Sequence, residues 1–185
     1  MAQAILWFRH SLGCALMIGL LVTVSSASLA ADKAVGMTLL FQSADREVVV
    51  KRFDPDGARG PVPGVVGGIF PRGGKIMSFM PGDRNRGMPK FVEVEWSVHT
   101  TEFMEWSARN QLKSKAEQYS QAGLAEYTRE WAKQPHITKR IDLTTIITPQ
   151  LLAQVRADAQ NTQLKLIITF NNDEVDIKAL ANKWR

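Results

Sequence analysis

The stretch that decides the fold is FVEVEWSV, residues 91–98. Apolar and polar side chains alternate along it, which is typical of a β-strand with one buried face. The apolar face carries Val92, Val94, Trp96 and Val98. Glu93 and Glu95 share the opposite face, where two carboxylates could do acid–base chemistry if buried. We expect them to lie on a solvated strand surface instead.

Two strands are predicted upstream of this segment, over residues 37–42 and 47–53. Residues 43–46 are short and polar enough to form the turn of a hairpin between them. In the second strand the alternation places Val48 and Val50 on one face. It places Phe53 on the other face, together with Val49 and Lys51.

Downstream, residues 101–106 are expected to pair back on the 91–98 strand as a hairpin. Residues 110–133 then predict a long helix, with a possible break at Gly123 and an end at Pro135. The remaining predicted elements are a strand over 137–143, a helix from Thr148-Pro149 to Gln160, a strand over 164–170, and a short helix or last strand over 175–184.

This order of elements predicts the α+β class. We expect a mainly antiparallel sheet with two helices and one long glycine- and proline-rich loop. Residues 31–185 form the single predicted domain. With 45% hydrophobic and 22% charged residues, the composition is that of a globular protein.

Residues 1–30 resemble a cleaved secretory signal peptide. Arg9 precedes an uncharged apolar run over 12–24, and Ser28 and Ala30 fit the positions before a cut at Ala31. A retained membrane helix is the alternative, although it needs about 20 apolar residues. The only cysteine, Cys14, lies within the leader and not at the cut, so no lipid anchor is predicted.

The chain is mildly basic, with 23 Lys and Arg against 18 Asp and Glu. For an exported protein we expect no nucleic-acid partner. Anionic lipid or an acidic protein surface would suit the charge better, and an ordinary soluble surface explains it equally well.

Residues 54–89 are the least ordinary part of the chain, with nine glycines and six prolines. Short strands are expected at 75–80 and near 65–70, since a structureless loop of this length is uncommon in a small domain. Five cations project from the segment: Arg59, Arg72, Lys75, Arg84 and Arg86. Interleaved aromatic, Met and other apolar residues give a composition typical of binding surfaces, although residues such as Phe70 could equally fill the core.

Catalytic and metal motifs are not evident in the sequence. His99 and His136 have no ligand spacing around them, so neither a metal nor a cofactor is predicted. The stretch from Gly68 to Lys75 departs from the phosphate-loop pattern at Ile69 and Ile76. We therefore expect a protein that is not an enzyme, although a Ser/His/Asp set could still assemble in space.

Several features together resemble a family of small exported immunity proteins. They are the leader, the Asp54-Pro55-Asp56-Gly57 turn, the paired glycines 67–68 and 73–74, and the Met88-Pro89 step into V-x-V-x-W. The family is encoded beside antibacterial type VI secretion effectors, especially phospholipases or lipases. The resemblance covers roughly residues 37–106. Many members are lipoproteins, and this chain departs from them by lacking the lipid-bearing cysteine.

The resemblance implies a periplasmic protein that binds a cognate phospholipase or lipase toxin and needs no catalytic residues of its own. From composition, the candidate partner-binding residues are Phe70, Arg72, Lys75, Arg84, Arg86 and Trp106. No stable membrane anchor is expected. Two other functions remain open: a non-catalytic envelope adaptor or assembly accessory, and a hydrolase that uses His99 or His136.

Overall fold

The structure is a computed structural model that describes residues 35–79 and 87–183. The predicted leader (1–30), Met80, Arg84 and Arg86 lie outside the described residues. Within the described ranges the chain forms eight strands and four helices. The strands are β1 (Met37–Ser43), β2 (Val48–Pro55), β3 (Gly64–Val66), β4 (Lys75–Phe79), β5 (Phe91–Val98), β6 (His136–Asp142), β7 (Thr162–Asn171) and β8 (Glu174–Lys183). The helices are α1 (Thr101–Gln111), α2 (Lys115–Gln118), α3 (Gln121–Ala132) and α4 (Pro149–Ala157).

The strands form two four-stranded sheets. The strand order is β4-β1-β7-β8 in the first sheet and β3-β2-β5-β6 in the second. All neighbouring pairs are antiparallel except β1 and β7, which run parallel. The predicted α+β class with mainly antiparallel pairing is confirmed, with the strands divided between two sheets.

The two sheets share one hydrophobic core, and together they are called the sandwich below. The ring centroids of Phe41 in β1 and Phe53 in β2 are 5.2 Å apart. Those of Trp96 in β5 and Phe170 in β7 are 5.3 Å apart. Each pair joins the first sheet to the second, so large aromatic side chains fill the space between them.

β5 lies inside the second sheet, as its alternation predicts. The four residues of its apolar face, Val92, Val94, Trp96 and Val98, are all buried. The indole nitrogen of Trp96 donates to the carbonyl oxygen of Asn172 at 2.8 Å, which satisfies its buried polar group. On the opposite face, Arg52 lies 3.4 Å from Glu93 and 3.7 Å from Glu95. Both carboxylates are therefore charge partners of Arg52 on a partly exposed strand face.

The predicted β1–β2 hairpin is wrong. β1 pairs with β4 and β7, whereas β2 pairs with β3 and β5, so residues 43–46 cross from one sheet to the other. The reason is visible in β1, where Leu39, Leu40 and Phe41 are all buried. Backbone N–H and C=O groups that are buried need hydrogen-bond partners, and β4 and β7 supply them along the two edges of β1.

The predicted faces of β2 are also corrected at one position. The register shifts between Val50 and Arg52, which indicates a β-bulge. An extra residue reverses the side-chain alternation beyond it. Phe53 therefore points into the core with Val48 and Val50 instead of sharing a face with Val49 and Lys51.

The predicted hairpin strand at 101–106 is the first part of helix α1. The Thr100 side chain accepts a hydrogen bond from the Phe103 amide at 3.3 Å, which caps the helix. β5 already has β2 and β6 as neighbours, so no edge remains for another strand. The helices α1, α2 and α3, residues 101–132, form a helical insertion between β5 and β6.

The single predicted helix over 110–133 is divided among these three helices. The divisions fall before the caps Ser114 and Ser120 and not at Gly123. Gly123 lies inside α3, where an added Cβ would come within 2.3 Å of the Glu117 carbonyl oxygen. Serine caps therefore set the helix boundaries, and the glycine permits the close approach of α2 and α3. The helical run ends before Pro135, as predicted.

The C-terminal elements largely match their predictions. Thr148 caps α4 by accepting from the Leu151 amide at 3.2 Å, and Pro149 occupies its first turn. Leu152 and Val155 of α4 join the core. The ambiguous tail is a strand, β8, which pairs with β7 along its length.

Candidate functional site

A glycine-rich crossover, residues 67–74, connects the edges of the two sheets. It leads from β3 at the edge of the second sheet to β4 at the edge of the first. Backbone hydrogen bonds hold it: Gly74 donates to Gly67 at 3.1 Å, and Gly73 donates to Ile69 at 2.9 Å. The Ser43 amide donates to the Gly68 carbonyl oxygen at 3.1 Å. The crossover is therefore tied to itself and to the end of β1.

The glycines of the crossover have a structural explanation. A Cβ on Gly73 would lie 2.0 Å from the Gly67 carbonyl oxygen, which no side chain could tolerate. Gly68 and Gly74 have φ angles of +78° and +82°, in the region that favours glycine. The paired glycines thus allow the backbone of the crossover to close tightly. This role of the glycines needs no bound phosphate, in line with the departure from the phosphate-loop pattern.

The crossover and the start of β4 expose apolar side chains beside cations. Ile69 is 45% exposed, Phe70 46% and Ile76 51%. Arg72 is exposed, and the Lys165 ammonium lies 5.9 Å from the centroid of the Phe70 ring. Aromatic and arginine side chains are among the types enriched at protein-binding surfaces.

Of the six predicted partner-binding residues, the structure brings three together. Phe70 and Arg72 lie in the crossover, and Lys75 follows it at the start of β4. The Lys75 ammonium donates to the Pro63 carbonyl oxygen at 2.8 Å. Arg84 and Arg86 lie outside the described residues.

Two neighbours of this surface escaped the sequence prediction. The sequence gives Ile76 no binding role, and the structure leaves it exposed on the edge strand β4. Lys165 lies far along the chain on β7, and no sequence signal links it to Phe70. Only the tertiary fold brings the two together.

Trp106, the sixth predicted residue, lies apart from the crossover on α1. Its indole nitrogen donates to Glu126 Oε1 at 2.9 Å, and Lys113 donates to Glu126 Oε2 at 2.8 Å. The Lys113 hydrogen bond, and after it that of Trp106, lower the pKa of the Glu126 carboxyl. Trp106 is half-buried and joins α1 to α3, while its proposed role as a partner anchor stays a prediction.

An aromatic cluster joins the helical insertion to the sandwich. Its members are His99, Phe103, Trp106, Tyr127, Trp131 and His136. At its base, His99 Nδ1 lies 2.7 Å from Oε1 of Glu47, the residue directly before β2. Phe103 lies buried at the centre, with its ring 4.9 Å from His99 and 5.7 Å from Trp131.

A serine and a histidine do meet in space, beside this cluster. Ser97 Oγ lies 2.7 Å from His136 Nδ1, and the Lys51 ammonium lies 2.8 Å from the same nitrogen. An ammonium can only donate, so Nδ1 acts as an acceptor for both groups. No carboxylate among the described residues hydrogen-bonds to His136, and Ser97 is 0% exposed. This geometry is that of a hydrogen-bonded strand pair and offers no path for a substrate to the hydroxyl.

Within residues 35–79 and 87–183, no three His, Cys, Asp or Glu side chains are grouped so that they could hold a metal ion. Over the same ranges, no helix has the length and apolar character needed to cross a membrane.

The surface around the crossover is the candidate functional site, because it combines a fixed backbone with exposed aromatic, aliphatic and cationic groups. Comparison of the chain with protein-family models, with curated proteins and with solved structures finds no match.

Proposed function

We propose that the protein is a periplasmic immunity protein that binds and neutralises a cognate type VI secretion phospholipase or lipase toxin. In this proposal the leader directs export, and the producing cell is thereby protected from its own toxin and from that of its siblings. The crossover surface, with Phe70 and Arg72 at its centre, is the toxin-binding element. No cofactor is required.

The observation that carries the proposal is the preorganised crossover. Its backbone is held by hydrogen bonds among Gly67, Ile69, Gly73 and Gly74. A binding loop already fixed in one conformation loses little entropy on association, which favours tight inhibition. Phe70 and Arg72 belong to the residue types that dominate binding energy at protein interfaces.

The chemistry of the Ser97–His136 pair also supports a binding function over a hydrolase. A nucleophilic serine must reach the substrate, and a general base must be free to take its proton. Here the hydroxyl is buried, and the accepting nitrogen is shared with Lys51.

The test combines toxin capture with protection. The tagged protein, recovered from the envelope of the source organism, is analysed by mass spectrometry for a lipase-like effector in near-equal amount. That effector is then directed to the periplasm of cells that carry either the native chain or a Phe70→Ala/Arg72→Glu variant. We expect the native chain to protect, and the variant to bind the purified effector at least about tenfold more weakly.

Arg129→Glu provides the matched control, because Arg129 is an exposed cation on α3, outside the crossover. It should protect as well as the native chain. A native chain that captures no such effector or fails to protect would disprove the immunity function. Recovery of envelope assembly components in its place would favour the adaptor. Full protection by the crossover variant would exclude only this binding surface.

A further inference from the structure

The outer face of α1 has no partner within the described part of the chain, whereas its inner face contacts the aromatic cluster. Phe103 is buried in the aromatic cluster, and Trp106 is bound to Glu126. On the other side, Met104, Ala108 and Leu112 recur at intervals of four residues and therefore share one face. All three are exposed, Met104 at 46% and Leu112 at 88%.

The outer face of α1 has a shape on which a second helix could pack. Leu112, the C-cap of α1, has helical backbone angles. The row formed by Met104, Ala108 and Leu112, called the stripe below, therefore continues to the end of the helix. Ala108 lies midway between the two larger residues. A small side chain at that position allows another helix to approach closely, with the larger residues packing on both sides of the crossing.

The charges beside the stripe favour a copy of the same helix as that partner. Glu105 and Arg109 are exposed on α1, and Glu105 comes first along the helix. Two antiparallel copies of α1 would place each Glu105 near the Arg109 of the other copy. Parallel copies would place this flank of the two helices on opposite sides of the contact, where Glu105 and Arg109 could not attract each other.

The acidic and basic side chains of the helical insertion are balanced, which suits a contact between two copies of it. Residues 101–133, which are the insertion and the C-cap Lys133 that follows it, hold five acidic and five basic side chains. Several are paired within the insertion, including Lys113 with Glu126 and Lys133 with Glu130. Two copies would therefore approach without net repulsion. An anionic lipid surface would instead favour an excess of cations, which this region lacks.

We propose that α1 forms the two-fold interface of a homodimer. The two copies of α1 cross antiparallel at Ala108, and Met104 of each copy packs against Leu112 of the other. Such a contact is self-complementary, as a two-fold interface must be. It uses none of the crossover residues, so it is independent of the immunity function proposed above.

Sedimentation velocity of the purified protein over a wide concentration range tests the dimer. The contact involves one short helix from each copy, so we expect a weak, concentration-dependent dimer. Leu112→Glu should raise the dissociation constant at least about tenfold. Tyr119→Glu is the matched control, since Tyr119 is 68% exposed but lies beyond α1 at the end of α2. A native chain that stays monomeric at about 0.5 mM would overturn the proposal.

Charge reversal tests the antiparallel arrangement. Glu105→Arg should weaken the dimer, because two arginines then face each other at each end of the contact. Adding Arg109→Glu should restore it, since the opposite charges face each other again. Loss of association in both variants, or in neither, would contradict the antiparallel pairing.

Cross-linking tests the position of the two-fold axis. In a Cys14→Ser background, Ala108→Cys should form an intermolecular disulfide rapidly under mild oxidation, because the two thiols meet at the crossing. Ala125→Cys, at an exposed position of α3, is the control and should cross-link slowly. Equal rates for the two variants would place the contact elsewhere.

Discussion

The sandwich and the helical insertion differ in how many of their side chains are buried. In the sandwich, Trp96, Phe41 and Phe170 are each 0% exposed, and side chains from both sheets enclose them. In the insertion, Phe103 and Gly123 are the buried residues of three helices. The sandwich therefore carries most of the hydrophobic stabilisation, whereas the insertion depends on caps, ion pairs and one aromatic cluster.

The largest expected effect is on the sandwich. Trp96→Ala removes the largest fully buried side chain and leaves the Asn172 carbonyl oxygen without its donor. We expect a loss of about 3–5 kcal/mol in the free energy of unfolding. Chemical denaturation followed by far-UV circular dichroism measures it. An effect below about 1 kcal/mol would contradict the central place of Trp96 in the core.

A smaller and local effect is expected for Phe103→Ala in the insertion. The cluster borders solvent, since Tyr127 is 47% exposed, so water can occupy part of the vacated space. We expect a loss of about 2 kcal/mol, confined to the insertion. Hydrogen exchange should become faster in α1 and α3 and stay unchanged in β5 and β7. Equal acceleration in both regions would show that the insertion and the sandwich unfold together.

The smallest effect is expected at Glu126. Its pKa is lowered by the hydrogen bonds from Lys113 and Trp106, so the ionised form is favoured in the folded insertion. The stabilisation is present above the ordinary glutamate pKa of about 4.3 and is lost as the pH falls through the lowered folded value. Acidification should therefore lower the hydrogen-exchange protection factors of α1 and α3, which compare each exchange rate with the intrinsic rate at the same pH.

Glu126→Gln supplies the comparison for this pH effect. It should show faster exchange at neutral pH and a weaker response to acid, because the titrating group is gone. If the native chain and the variant respond equally to pH, other carboxyls cause the effect.

Short-range patterns predicted much of the fold. The alternation in 91–98 gives β5, and the Thr148-Pro149 cap gives the start of α4. The errors arose where long-range contacts decide the outcome. The β1–β2 connection depends on which edges β4 and β7 occupy, and the bulge after Val50 depends on pairing with β5. Neither pairing is written in the local sequence.

The candidate site was predictable only where its residues are neighbours in the chain. Phe70, Arg72 and Lys75 lie within one short stretch, so their proximity follows from sequence alone. Composition alone groups Trp106 with them, yet its position on α1 depends on how the insertion packs. The contribution of Lys165 required the fold of β7 beside the crossover.

The insertion joins the second sheet in a way that makes it separable from the strands. Its two ends leave from neighbouring strands: Ser97 pairs with His136, and the Val98 amide donates to the Pro135 carbonyl oxygen at 3.2 Å. A two-residue turn would span that gap and close β5 and β6 into an ordinary hairpin. Every strand would keep its neighbours, so this segment can be lengthened, exchanged or excised during evolution while the crossover at the sheet edges stays in place.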